Sequence, residues 1–373
     1  MSDLNDFQGF GAMHSFDKYF LCIFPQVDIE HIDHLIIDTM VLNDLYDFSN
    51  NLQEEPWMSP RVLDMLRKCD LHANTAIVER SWMHEKDTTK SISEFLKPKP
   101  SMIAENSEVI DFIKGSKNAD FQAFKDGKIS VHDIPKVTKF RSKESLAFGL
   151  DTIEYMSIVS QNWLGIALLL LHEKNLPVKL SGQESEKEQK DIVLAQVEAY
   201  KKWQSHVRTY GIGITVELRL LASLCFFGGY IKGIHSNKID FAAMAKKAEW
   251  PDTTKSRIAR NIAFDFQHLN NARQYRMGWL NNSVSIERHF SALLTRDNVL
   301  ASMVGSIQEE ALFYGKGIHA PYLWPVDSDF TKLFEPSVAY SGFFGPPRSS
   351  YDLIDALDIV PFLAEILPEL DAM

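Results

Sequence analysis

The chain has 373 residues, 45% of them hydrophobic and 24% charged, which supplies a large core and excludes a disordered or fibrous protein. A net charge of −11 argues against nonspecific nucleic-acid binding by the whole surface, although a local basic groove beside acidic metal ligands fits the same total. No apolar run approaches the ~18 residues of a membrane span; the best, Trp163 to Leu171, is short and bounded by Asn162 and His172.

The start, Met1-Ser2-Asp3-Leu4-Asn5-Asp6, is acidic and lacks the basic and apolar parts of a secretory signal, so a soluble cytoplasmic protein is expected. Cys22, Cys69 and Cys225 are far apart, with no Cys-x-x-Cys pair. Buried thiols are expected rather than a disulfide framework or zinc knuckle.

In chain order, Tyr19 to Phe24 reads as a short strand or a buried helical turn before Pro25. His31, Asp33 and His34 read as a solvated loop ahead of the next strand, with metal ligation as the alternative. Leu35-Ile36-Ile37-Asp38-Thr39 is a short apolar, β-branched strand running into an aspartate, followed by a helix from Val41. Carboxyl ends of strands are where open α/β sheets bind ligands, so Asp38 is placed either to hold a metal or act on substrate, or to cap the helix.

Ser59-Pro60 is a cap with proline at the first helical position, opening a helix with Val62, Leu63 and Leu66 on one side. Thr75 with Glu79 one turn inside marks another helix start. From Glu85 to Gly149 the chain is polar and broken by Pro98, Pro100 and Pro135, which predicts short helices and loops. Lys136, Lys139, Arg141 and Lys143 form a basic patch that either contacts phosphate or is a solvated face.

Asp151 to Glu173 and Gly211 to Tyr230 are apolar on most sides and predict central helices, joined by a charged loop and an amphipathic helix ending near Trp203. Pro251-Asp252-Thr253-Thr254 starts a helix to about Met277. Its inward stripe steps through Ile258, Ile262, Asp265, Leu269 and Ala272. A carboxylate on such a face needs a cation, a metal or strong donors. Ala292-Leu293-Leu294-Thr295-Arg296-Asp297 is a second apolar strand ending in an acid, and parallel pairing would bring Asp297 to the edge occupied by Asp38. Beyond Gly315 prolines and aromatics dominate, and only Tyr351 to Leu367 looks helical.

Converging carboxylates at a sheet edge suit Mg²⁺ or Mn²⁺, which take oxygen ligands and activate water without a protein nucleophile. Ile37-Asp38-Thr39-x-Val41-Leu42, Glu79 near a helix start, Asp265 inside a late helix and Leu294-Thr295-Arg296-Asp297 together resemble the PIN-domain ribonucleases. The resemblance covers roughly residues 32 to 83 and 254 to 304.

It implies a three-layer α/β/α sandwich with a mostly parallel sheet, in which residues 1–83 and 251–315 form the core, 84–250 a mainly helical insertion and 316–373 a C-terminal extension. It implies an acidic Mg²⁺ or Mn²⁺ site of Asp38, Glu79, Asp265 and Asp297, with Thr39 and Thr295 holding the strand-end loops. Glu154 and Glu217 compete with Glu79 as second acid. Asn298 stands where some relatives carry a further acid.

The implied activity is RNA cleavage, with single-stranded DNA as a second substrate and a toxin or antiviral defence role held in check by a protein partner. Arg257, Arg260, Arg273, Arg276 and Arg296 offer a basic rim to the nucleic acid. His268 either orients a ligand or is a satisfied helix histidine. Two alternatives stand beside this reading. One is a partner-binding scaffold on a nuclease-like fold. The other is a haloacid-dehalogenase-type phosphatase, whose second acid is replaced by Met40 and whose later motifs would have to use Lys316, Asp327 and Asp329.

Overall fold

The computed structural model describes residues 12–16, 18–24, 29–50, 58–82, 100–130, 133–134, 153–173, 185–212, 215–227, 254–276, 291–297, 300–301, 307–312, 319–323 and 356–372. The fold is mixed α/β. Strands β1 (Ala12–Phe16), β2 (Tyr19–Phe24), β3 (His34–Ile37), β4 (Asp70–His72) and β5 (Ser291–Thr295) form one sheet in the order β1-β2-β5-β3-β4. β3 lies parallel to both β4 and β5, whereas β2 runs antiparallel to β5 and to β1. The sheet is therefore mixed rather than mostly parallel, because the β1–β2 hairpin adds to the free edge of β5.

Alternation along the strands sends side chains to two cores. Leu21, Ile23, Leu35, Ile37, Ala292 and Leu294 pack with one set of helices, and Cys22, Ile36 and Leu293 with another. The first set comprises α1 (Thr39–Asn50), α2 (Pro60–Lys68), α3 (Asn74–Trp82), α4 (Pro100–Gly115) and α5 (Asn118–Lys125). Ser59 caps α2 by accepting from the Val62 N–H at 3.4 Å, as the Ser-Pro pair predicts. α3 also contributes Val78 to the second core.

The second core is built by α6 (Ile153–Glu173), α7 (Glu186–Thr209), α8 (Val216–Phe227) and α9 (Lys255–Arg276), together with α10 (Ala356–Asp371). α9 lies on β3 and β5, and α6 and α10 pack on α9. The Ser291 hydroxyl donates to the Ala272 carbonyl and ties the start of β5 to α9. Residues from the expected insertion thus complete both cores. α4 is also longer than the proline-broken composition predicts: Pro100 opens the helix, and Val109, Ile110, Phe112 and Ile113 are buried.

His34 is not in a solvated loop but inside β3 and buried, with its Nδ1 3.0 Å from Nε2 of His72. A second hairpin, β6 (Ile307–Leu312) with β7 (His319–Leu323), carries no clear signal in the sequence. All three cysteines are free and buried. No helix among the described residues is long and apolar enough to cross a membrane. The Lys136–Lys143 patch, Lys316, Asp327 and Asp329 lie outside the described residues.

Leu293 and Leu294 are fully buried on opposite faces of β5. Replacing either with Ala is expected to cost about 2–5 kcal/mol in urea unfolding. A loss below about 1 kcal/mol at one of them would show that its face lacks a packed helical layer.

Candidate functional site

β3 connects through α1 and α2 to β4 on one side, while β5 lies on the other, so the connections diverge at the carboxyl end of β3. Such a divergence opens a crevice where α/β sheets bind ligands. The register pairs Ile37 with Leu294, and the Asp38 N–H donates to the Leu294 carbonyl at 3.1 Å. Asp38 and Thr295 therefore emerge side by side. By alternation both share the face of Ile36 and Leu293, toward α9.

Asp38 is 3% exposed and its carboxylate is fully engaged. Oδ1 accepts from the Val41 N–H at 2.7 Å, capping α1. Oδ2 accepts from the Thr295 hydroxyl and from the Arg296 N–H, the latter at 3.3 Å. Burial nonetheless raises its pKa from 3.8 to about 6, against the lowering influence of Thr295, His268 and Val41; the charge of Glu79 adds to the rise. Desolvation outweighs the hydrogen bonds, leaving a carboxylate that is short of positive charge.

Glu79 comes from α3, buried, with its Oε2 accepting from the Thr39 hydroxyl. Each of these threonines thus donates to an acid, Thr39 to Glu79 and Thr295 to Asp38, where the resemblance has them holding the strand-end loops and a metal-bound water. Of the two competitors for the second acid, Glu217 is buried on α8, and the side chain of Glu154 lies outside the described residues. Glu79 is the acid whose charge reaches Asp38.

Among the described residues no three His, Cys, Asp or Glu side chains form a group able to enclose a metal ion. Asp265 is half-buried on α9, and one turn further along it is His268 whose charge acts on Asp38 and whose Nε2 lies 3.6 Å from Glu79 Oε2. Helical spacing puts residues 265 and 268 on neighbouring rows of one face, so the stripe marks the correct face without fixing which polar residue meets the sheet. Asp297 is half-buried at the end of β5, where its N–H donates to Thr295 Oγ1 at 2.8 Å and its Oδ1 accepts from the Leu300 N–H at 3.1 Å. It caps the next helical turn.

What does assemble is a pair of carboxylates, Asp38 and Glu79, beside a buried histidine. Mg²⁺ is commonly held by one or two carboxylates together with substrate phosphates and keeps several waters, so a two-carboxylate donor set is the one to weigh where no larger group is found among the described residues. His268 is fully buried, and neither ring nitrogen has a hydrogen-bond partner among the described residues. Its helix is registered against that of Glu79 by Asn271, which donates to Thr75 Oγ1 at 2.7 Å and accepts from Gln267 at 2.7 Å. Spacing finds His268 only as one polar residue among several on α9.

The expected basic rim is also revised. Arg260 is 2% exposed, packed inside the helical core and unable to form a substrate-facing edge. Arg257 is half-buried, and the side chains of Arg273 and Arg276 lie outside the described residues. Arg296 stays at the sheet edge, with its Nη1 2.8 Å from Asp44 Oδ1.

Comparison with protein-family models, curated proteins and solved structures finds no match.

The Asp38 carboxyl binds its proton more tightly folded, at about 6, than at its ordinary 3.8. Its contribution to stability is thus fully present below about pH 4 and is lost as the pH rises through about 6. Relative to Asp38→Asn, the parent should lose up to about 3 kcal/mol across that window in urea titrations at stepped pH. Parallel stability profiles would mean that Asp38 ionises like an exposed carboxylate.

Proposed function

We propose that the protein is a metal-dependent nuclease, an RNA-cleaving endonuclease built on a PIN-like three-layer α/β/α fold. The observation that carries this reading is the pairing of Asp38 with Glu79 at the carboxyl ends of parallel β3 and β5, each oriented by a threonine hydroxyl. Asp38 and Glu79 would hold Mg²⁺ or Mn²⁺, which supplies Lewis acidity and an activated water to a phosphodiester.

The chain's own residues supply orientation and charge. Thr295 and the Arg296 N–H hold one oxygen of Asp38, and the Val41 N–H fixes the other, so the carboxylate cannot rotate. Thr39 does the same for Glu79. Two buried negative charges so placed favour a cation over a proton at neutral pH. Asp297 acts through Thr295, whose oxygen receives its N–H. RNA is the proposed substrate and single-stranded DNA the second; the toxin or defence role and an inhibitory protein partner follow from the resemblance.

The scaffold reading is favoured by one observation: Asp38 and Asp297 both cap helical turns, which is sufficient reason for an acid at either place. A single assay separates the readings. Labelled RNA and single-stranded DNA are incubated with Mn²⁺, Mg²⁺ or EDTA and the parent, Asp38→Asn or Glu79→Gln. Metal-dependent cleavage lost in both variants supports the nuclease, and a parent inert with every metal and substrate supports the scaffold. Thr39→Val and Thr295→Val, which remove only the orienting hydroxyls, should each lower cleavage roughly 10–100-fold.

His268 bears on both stability and activity. It lies 3.6 Å from Glu79 and its charge acts on Asp38, so His268→Leu, which leaves two buried acids without it, should unfold at a lower urea concentration. The same variant should cleave less. Lower stability with full cleavage would make His268 a core residue only.

A further inference from the structure

The β1–β2 hairpin brings its turn to the same sheet edge as Asp38. Because β2 is antiparallel to β5 and Phe20 pairs with Thr295, the residues just before Phe20 lie beyond the carboxyl end of β5. Lys18 is in that turn, with its Nζ 3.2 Å from Asp44 Oδ2 and 5.3 Å from the centre of the Tyr19 ring. Tyr19 is buried and its hydroxyl donates to the same Asp44 oxygen at 2.9 Å. Arg296 takes the other oxygen at 2.8 Å.

One carboxylate on α1 thus anchors two cations from different strands. Lys18, Arg296 and Asp44 together carry one net positive charge, and both cations keep outward surface, at 39% side-chain exposure for Lys18 and 33% for Arg296. It is also contiguous with the acidic pair, because the backbone N–H of Arg296 binds Asp38 while its guanidinium binds Asp44. An acidic centre repels a polyanion unless fixed cations stand beside it. Arginine is suited to the task because its planar fork retains donors after one is used on Asp44.

We propose that Lys18 and Arg296, held in place by Asp44 and Tyr19, form a phosphate-binding subsite for the backbone of a single-stranded nucleic acid. This inference rests on the nuclease reading for its choice of polyanion. It gives the hairpin on the edge of β5 a function, delivering a lysine to the site from a part of the chain remote in sequence from Asp38 and Glu79.

The test measures binding apart from cleavage. Fluorescence anisotropy of a short labelled single-stranded RNA, and of the same sequence as DNA, is followed in EDTA with full-length Asp38→Asn over a series of NaCl concentrations. Lys18→Ala in that background should weaken binding several-fold at low salt and flatten the slope of log K against log salt by about 0.7, the loss of one phosphate contact. Lys18→Arg should restore both. Lys201→Ala, on α7 and paired with Glu198 at 3.9 Å, serves as the remote control and should change neither. Equal affinity and slope for Lys18→Ala, an equal loss in the Lys201→Ala control, or no binding of either polymer would overturn the subsite. Cleavage by the parent with unaltered Lys18→Ala binding would discard the subsite and keep the nuclease, whereas weakened binding without cleavage would do the reverse.

Discussion

The buried carboxylate of Asp38 is the constraint on which the sheet edge depends. An ion of this kind is tolerated only when its oxygens are met by donors, and each donor here comes from a different structural obligation. Val41 needs an acceptor because it opens a helix, the Arg296 N–H because β5 has ended, and Thr295 because its hydroxyl is buried between strands. Asp38 answers all three at once. The end of β3, the start of α1 and the exit of β5 are thereby fixed to one another by a single side chain.

The same carboxylate is left deficient in positive charge. An ordinary capping aspartate is exposed and ionises easily, whereas burial pushes Asp38 up to about 6 despite its donors. Glu79 worsens the deficit, and His268 offsets part of it only if protonated. Two buried acids, with an imidazole that has no hydrogen bond among the described residues, cost stability that apolar residues would have spared.

Much of this was legible in the chain. Asp38, Thr39, Thr295 and Asp297 were readable because an apolar strand running straight into a polar pair has few interpretations, and parallel pairing aligns two such ends. Glu79 was readable only as an acid near a helix start, with Glu154 and Glu217 on apolar helices as competitors. Arg260 was misread because a helix apolar on several sides has no solvent face, and spacing then cannot tell an exposed guanidinium from a buried one. Asp265 took the place of His268 for a related reason: one helical face carries both, and only the approach of α3, fixed through Asn271 and Thr75, decides which residue meets Glu79. In sequence Lys18 is half of a polar Asp17-Lys18 pair, a composition ordinary for a connection between strands, and nothing there drew attention to it.

The hairpin also shows why fold and site cannot be separated in this chain. A strand added parallel to β5 would have brought its amino-terminal end to the opposite edge, and its preceding loop would face away from Asp38. Antiparallel addition reverses this and brings Lys18 to the edge of the sheet that carries Asp38. Tyr19 shows the consequence in a single residue: its ring is buried with the core on one side of the sheet, while its hydroxyl reaches Asp44 and fixes the acid that carries Lys18 and Arg296. The packing that closes the edge of β5 is therefore the packing that positions its cations, and a change to either is a change to both.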